Sequence, residues 1–277
     1  MLPADVDAAS DMILSHDWGV RREFLAFATT QAACTPMVAV NDGLIVGTGI
    51  GTRNGSVGWI GTIFLAPDWR GQGIGRAITE SIIDQLESAG AATLVLVATA
   101  DGRRLYSKMG FEVQTRYRIL EAAGLSSRTA DSDMPAGTAS VRPFRAGDFE
   151  ALALLDRVGT GEDRRHLLAR FVTPDSAKVL TRGDGVIDGF VVRAPWGGGA
   201  TVARSFEAAS AIITERRMKA GPDGRVRVGL LQDNKDGIER LLAAGFKASW
   251  AAPRMVRGAL MGWHPEWIWG QFNHAIG

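Results

Sequence analysis

The densest chemical signal in the chain is Leu65-Ala-Pro-Asp-Trp-Arg-Gly-Gln-Gly-Ile-Gly75. Glycines at 71, 73 and 75 let the backbone approach a ligand closely, and the free N–H groups of a helix that starts there point at an anion. Together they make a phosphate cradle whose natural occupant is a pyrophosphate. Glycine-rich strand-to-helix turns also serve dinucleotides and nucleoside triphosphates, but no Gly-x-Gly-x-x-Gly is present and no Gly-Lys-Ser/Thr closes the loop. Other reactive residue types are sparse. Cys34 is the single cysteine, so it makes no internal disulfide and no thiolate metal site. With no His in a motif around it, it reads as a small buried hydrophobe. His264 and His274 lack a third ligand in sequence, which argues against a metal. Arg103 and Arg104, just ahead of Tyr106, could reach phosphates or simply open an exposed helix.

The elements that position the loop follow from periodicity. Runs at 37–40, 44–52 and 57–65, separated by Asn41-Asp42-Gly43 and Asn54-Gly55, predict an antiparallel meander of three strands. Pro67 and Gly71 then interrupt, and Ile74, Ala77, Ile78, Ile82 and Leu86 at helical spacing predict a helix over 74–89 stopped by Gly90. The apolar run 93–98 predicts a strand buried on both faces, 103–109 a short helix ended by Gly110, and 111–120 a further strand. Antiparallel strands ahead of the loop further separate it from dinucleotide and triphosphate sites.

From 122 to 139 the chain is small, polar and without apolar period, which places an interdomain linker there. The order of elements then repeats: a strand near Val141, a helix from Asp148, strands at 177–180 and 186–192, a helix from Glu207, a strand over 226–230, and a helix from Lys235 ended by Gly245. The two halves read as one fold used twice. Aligning Arg145-Ala-Gly-Asp-Phe-Glu-Ala with Leu2-Pro-Ala-Asp-Val-Asp-Ala sets the strand near Val141 opposite positions ahead of Met1. The first half is therefore expected to lack its opening strand, and either the start lies upstream or another segment covers that edge.

Composition agrees with two ordinary domains in 277 residues. With 46% hydrophobic and 22% charged residues and a mean hydropathy of +0.02, the chain is too apolar for disorder and too evenly charged for a membrane protein. Stretches such as 94–98 fall short of the ~18 residues of a membrane span, and residues 1–12 carry no basic start ahead of an apolar core. One cysteine suits a reducing compartment, so a cytoplasmic location is expected. Lys plus Arg number 31 against 30 Asp plus Glu, which leaves no basic field for nucleic acid.

Arg70-Gly-Gln-Gly-Ile-Gly75 resembles the Arg/Gln-x-x-Gly-x-Gly/Ala acetyl-CoA loop of the GNAT N-acetyltransferase superfamily, and Leu105-Tyr-Ser-Lys-Met-Gly-Phe111 resembles its Leu-Tyr-x-x-x-Gly-Phe element. The pair in this order is more specific than either alone. The resemblance implies an α+β fold, a mixed and mostly antiparallel sheet flanked by helices, whose fourth and fifth strands (here 57–65 and 93–98) splay apart to admit acetyl-CoA. It implies that Ile63, Phe64 and Leu65 meet the thioester and pantetheine, with the Leu65 N–H as oxyanion donor. Arg70 opens the pyrophosphate loop, whose N–H groups come from Gly71, Gln72, Gly73, Ile74, Gly75 and Arg76, and Arg103 lies near the phosphates. Tyr106 is expected as general acid to the leaving CoA thiolate, a group with a pKa of about 8.5. Thr99 stands where family members often carry an Asn that contacts CoA, and offers a hydroxyl in place of an amide. The base is not identified; His16, Asp17 and Glu23 lie in the helical region that walls the acceptor pocket in this family.

The second half resembles the family in outline. Asp233-Asn-Lys-Asp-Gly-Ile-Glu-Arg-Leu-Leu-Ala-Ala-Gly-Phe246 keeps Asn234 but places Leu241 where Tyr106 stands, and Val202-Ala-Arg-Ser-Phe-Glu-Ala-Ala-Ser210 contains no glycine. The expectation is a catalytic domain over 1–121, a linker over 122–139, and a degenerate domain without a CoA loop over 140–277, as in tandem GNAT proteins. That second domain would close the acceptor pocket or form an oligomer interface, which leaves a homodimer open. The expected activity is acetyl transfer from acetyl-CoA to a primary amine of a small molecule or peptide, without metal, nucleic acid or membrane. The competing readings are a non-catalytic acyl-CoA-binding or regulatory module and a purely structural tandem domain. The tail 259–277, with Trp263, Trp267, Trp269 and Phe272, is expected to pack on the protein as a strand or hook, or else to line the acceptor pocket.

Overall fold

Turn chemistry shapes the first sheet. Asp42 and Gly43, both at positive φ, reverse β1 (Cys34–Asn41) into β2 (Leu44–Asn54), and Gly55 reverses β2 into β3 (Val57–Leu65). All three pair antiparallel, as alternation and turn residues predict. Two helices, α1 (Val6–Leu14) and α2 (Arg22–Thr30), precede them, and α3 (Ile74–Ser88), β4 (Thr93–Val97) and α4 (Ala100–Lys108) follow. The computed structural model describes residues 1–126 and 140–277.

Helix α3 lies unusually close to the sheet, and the reason is legible in β2. Gly47, Gly49 and Gly51 alternate, so all three face the helix. A Cβ on Gly49 would sit 2.4 Å from Ile78 Cγ2 and 2.9 Å from Ile82 Cδ1, and one on Gly51 2.7 Å from Ile82 Cγ2. With Gly58 beside them, they form a smooth floor on which Ile78, Ile82, Ile83 and Leu86 are buried. Each such side chain contributes about 2 kcal/mol of burial. Strand β4 lies parallel to β3, as a strand–helix–strand crossover requires.

The remaining elements are β5 (Glu112–Ala123), β6 (Ser140–Pro143), α5 (Phe149–Thr160), α6 (Arg165–Phe171), β7 (Ala177–Thr181), β8 (Ile187–Arg193), β9 (Gly199–Ala203), α7 (Phe206–Ala220), β10 (Arg225–Leu231), α8 (Lys235–Ala243), β11 (Lys247–Gly258) and β12 (Ile268–Gly270). An antiparallel sheet runs β12-β9-β8-β7-β6, and β10 pairs antiparallel with β5. Its core gathers Leu180, Val191, Ile212, Val228, Leu230, Leu241, Phe246 and Trp269. One ion pair, Arg164 to Asp156 at 2.5 Å, is buried with both side chains 1% exposed. Removing either partner alone would strand a buried charge.

The compact units depart from the division at 121 and 140. One unit comprises Met1–Val113, Arg254–Leu260 and Asn273–Gly277; the other comprises Gln114–Pro253 and Met261–Phe272. The cause is strand exchange. The edge of β4 away from β3 is filled by Arg254 to Gly258 of β11, in register with Val97 to Thr93, while β5 pairs with β10 from Arg225↔Ala123 onward. A strand edge accepts any chain that presents unpaired N–H and C=O groups, so sequence adjacency does not decide its partner. Of the expected linker, Ala122 and Ala123 belong to β5, and 127–139 lies outside the described residues.

β6 has no counterpart ahead of β1, which pairs only with β2 among the described residues. The Met1 amino group donates to Pro36 O at 2.9 Å on that strand. Periodicity does not predict α6, β9 or β11, whereas β12 falls in the tail expected as a strand or hook. Among the described residues no helix is long and apolar enough to cross a membrane.

Candidate functional site

The glycine-rich loop meets α3 as an uncapped N-terminus. Gly71 and Gly73 adopt φ 77° and 84°, where an L side chain is strained, and a Cβ on either would meet nothing within 4 Å. Gly73 is the N-cap, no side chain caps the helix, and no acid stands in its first turn. The first bond of this turn runs from the Ala77 N–H to Gly73 O. The N–H groups of Ile74, Gly75 and Arg76 have no partner among the described residues, so they and the helix dipole aim at open space. That arrangement fits a pyrophosphate. The side chains around it are otherwise engaged: Arg70 Nε donates to Leu65 O at 3.2 Å, Gln72 to Asp68 O at 3.1 Å, and Arg76 pairs with Glu80 at 2.8 Å.

Beside the cradle the sheet opens. Pairing of β3 with β4 ends at Ile60↔Leu96, and residues 61–65 run on with no β4 partner. A bulge sits at the same place: Thr48 pairs with Phe64 and Ile50 with Gly61, so Thr62 and Ile63 together face Gly49. Thr62 is held at φ 53°, a strained conformation for a β-branched residue. Its carbonyl accepts the Thr48 hydroxyl at 2.9 Å. Since the Ala66 N–H donates back to Val46 O at 3.0 Å, alternation along the ladder turns the Leu65 N–H away from β2 and into the gap.

The two faces of this gap differ. Ile63 and Leu65 point to the α3 side, where Ile63 Cδ1 approaches Gly49 and Leu65 Cδ1 approaches Gly75. Phe64 points to the other face, under the loop between α1 and α2, with the Trp18 ring at 5.1 Å and the His16 ring at 5.9 Å. Arg70 lies 5.9 Å from the Phe64 ring, and Arg21 5.6 Å from the Trp18 ring. All three residues nominated as bases are exposed, and of them only His16 sets its ring against this wall. His16 Nδ1 lies 2.8 Å from Met12 O, and as donor to it leaves Nε2 as the accepting nitrogen. Also on the Phe64 side of the sheet, a Cβ on Gly61 would strike Ala275 Cβ at 2.5 Å and His274 O at 2.7 Å, and Asn54 donates to Ile276 O at 2.9 Å.

Tyr106 is buried on α4, edge-on to Phe111 at 6.2 Å and against Gly102. Burial pushes its phenol up to about 12, so it stays protonated at neutral pH and keeps its O–H available to donate. Thr99 caps α4, its hydroxyl accepting from the Gly102 N–H at 3.1 Å, so its first commitment is to the helix. Arg103 and Arg104 are exposed on the same helix. Cys34 is half-buried, 3.5 Å from the Thr52 hydroxyl, with its thiol pushed up by burial. Among the described residues no three His, Cys, Asp or Glu gather to hold a metal ion.

Residues 7–111 match the Acetyltransferase (GNAT) family, and residues 152–269 match an Acetyltransferase (GNAT) domain. The chain belongs to the GNAT acetyltransferase family. The ribosomal protein bS18-alanine N-acetyltransferase of Escherichia coli (strain K12) is 43% identical over 56 residues, 19% of this chain, and the match spans only 38% of that relative's length. A solved structure from Pyrococcus horikoshii covers 100% of this chain and 94% of its own at a TM-score of 0.80 and 18% identity. A GCN5-related N-acetyltransferase from Sphaerobacter thermophilus covers 93% and 94% at 0.64 and 16%. A tandem GNAT protein from the clavulanic acid biosynthesis pathway covers 93% and 97% at 0.60 and 14%. At these identities the structural likenesses concern the fold.

In the second GNAT unit the corresponding places are filled from within. The Ser205 hydroxyl caps α7 by accepting from the Ala208 N–H at 3.2 Å, and Glu207 stands in the first turn, its carboxyl held low by its own backbone N–H and by Arg240. Strand β12 pairs with β9 through Ile268↔Val202, and its Trp269 is 1% exposed in the core beside Val228 and Leu230 of β10. Trp269 Nε1 donates to Ala203 O at 3.3 Å, while Asn234, the match to the family's CoA-contacting Asn, donates to Glu266 O at 2.8 Å. Within the aromatic tail Ile268–Gly270 therefore pack as a strand, beside β9 and with Trp269 against the β10 side chains.

Proposed function

We propose that this GNAT protein is an N-acetyltransferase that moves the acetyl group of acetyl-CoA to a primary amine, using its first unit alone. The observation that carries this reading is the set of unbonded N–H groups at α3 next to the gap into which the Leu65 N–H turns. Acetyl-CoA supplies an activated thioester and a pyrophosphate. The N–H groups of residues 71–76 hold the pyrophosphate, Ile63 and Leu65 line the pantetheine path on the α3 side, and the Leu65 N–H donates to the thioester oxygen as it gains charge. With the α3 side taken, the amine approaches from the Phe64 side, where His16 Nε2 is placed to take its proton.

Tyr106 donates to the departing sulfur. A phenol at about 12 is a weaker acid than a thiol at about 8.5, so Tyr106 stabilises the thiolate by hydrogen bonding rather than by giving up its proton. Calorimetric titration with acetyl-CoA tests the reading: one site per chain at micromolar affinity is expected. Binding without transfer to any amine would favour an acyl-CoA-binding module, and no binding would favour a structural tandem domain.

A further inference from the structure

We propose that the amine acceptor also carries a carboxylate, and that Arg21 grips it across the Trp18 ring; the proposal rests on the acetyl-transfer reading. Two apolar rings, Phe64 and Trp18, with the His16 imidazole against Phe64, form a wall on the side from which the amine arrives. At its far end Trp18 carries the Arg21 guanidinium 5.6 Å from its centroid. Arg21 is half-buried, yet its one hydrogen bond is to Val20 O at 3.0 Å, and no carboxylate lies within 4.0 Å of it among the described residues.

The contrast with its neighbour is direct, because Arg22 is exposed and pairs with Asp7 at 2.6 Å. The more buried cation is thus the one left without a counter-charge, and its desolvation lowers its pKa. A desolvated cation gains most from an anionic ligand, and a planar guanidinium suits the two oxygens of a carboxylate. Space for that contact depends on Gly19, at φ 81°, where a Cβ would lie 3.2 Å from Arg21 Nη1.

Charge around the wall selects in the same direction. Arg70 stands over Phe64 at 5.9 Å, and the nearest acids in sequence, Asp17 and Glu23 beside Arg21 and Asp68 beside Arg70, are exposed and pair with neither arginine. A wall with two cations repels a lysine-rich tail and attracts an amine that bears a negative group. The ring surface between Arg21 and the gap calls for an apolar spacer between amine and carboxylate. A free aromatic amino acid-like amine and the N-terminus of an acidic peptide share this chemistry.

The test uses the full chain, acetyl-CoA and two matched pairs of amines. The first pair is 4-(aminomethyl)benzoate and 4-(aminomethyl)benzamide; the second is a short peptide with aspartate or asparagine next to its N-terminal residue. A preference for the acid over the amide of roughly 10- to 100-fold in kcat/KM, mostly in KM, is expected in one pair, and the pair that shows it identifies the source. Arg21→Gln should bring that ratio close to one, and Arg21→Lys should restore part of it. Equal use of acid and amide, preference for the amides, or no transfer to any of the four with acetyl-CoA bound overturns the acceptor assignment. Absence of acetyl-CoA binding overturns instead the transfer reading on which it stands.

Discussion

Helices α3 and α7 are each 15 residues long and hold the same place in the two repeats, yet they treat their N-termini in opposite ways. α3 opens on glycines at positive φ with no cap and no acid, so its N–H groups remain available. α7 opens on Ser205, which caps it, and on Glu207, which neutralises its dipole. The same divergence extends to the sheet: the gap between β3 and β4 is open at residues 61–65, whereas β12 lies against β9 and buries Trp269 beside β10. The two units thus differ in whether the chain itself satisfies the backbone N–H groups at the start of the corresponding helix.

The largest expected effect that could break this comparison lies in the second unit. Trp269→Ala should destabilise it by roughly 3–5 kcal/mol, read by urea denaturation, while acetyl-CoA affinity of the first unit is retained. A negligible loss would mean that β12 rests on the core without completing it. In the first unit, Gly73→Glu places a strained side chain and a negative charge over the cradle, and should weaken acetyl-CoA binding by about 100-fold or more in calorimetry. The reciprocal change, Ser205→Gly with Glu207→Gln, should leave one site per chain. A second site would show that capping alone silences α7.

A smaller effect sharpens the chemistry. Tyr106→Phe should lower kcat by about 10-fold with unchanged acetyl-CoA affinity, and because burial holds the phenol up to about 12, the wild-type rate should show no alkaline fall from Tyr106 below pH 10. Leu241→Tyr should confer nothing on the second unit. The mildest prediction concerns the half-buried His274, whose imidazole burial lowers to about 4. A folded pKa below the unfolded value of about 6.5 gives stability that is present above pH 6.5 and lost as pH falls toward 4. Thermal melts from pH 7 to 4 should drop by a few degrees, and His274→Asn should flatten that dependence.

Two glycine triplets illustrate how far the sequence could be read. Gly71-x-Gly73-x-Gly75 lies between a strand and a helix and was legible as a cradle. Gly47-x-Gly49-x-Gly51 has the same spacing, but it lies inside β2 and serves to bring α3 close. Only alternation on a strand separates the two uses. Tyr106 was legible through its Leu-Tyr and Gly-Phe surroundings, whereas the burial that raises its phenol to about 12 was not. The wall of His16, Trp18, Phe64 and Arg21 escaped because Phe64 lies more than forty residues from the other three and shares no period with them.

The sequence by itself determined the repeat, the meander, the loop and the helix it feeds, because these depend on local φ/ψ demands and on periodicity within a few turns. It also determined that the second half lacks the glycines of a phosphate loop. The tertiary structure alone decided which strand completes which sheet, that β11 serves β4 while β5 serves β10, and that the tail both fills the core with Trp269 and covers Gly61 with Ala275. Strand edges and cavities are satisfied by whichever segment reaches them with complementary N–H groups, carbonyls and apolar surface, and that choice is made in space, not along the chain.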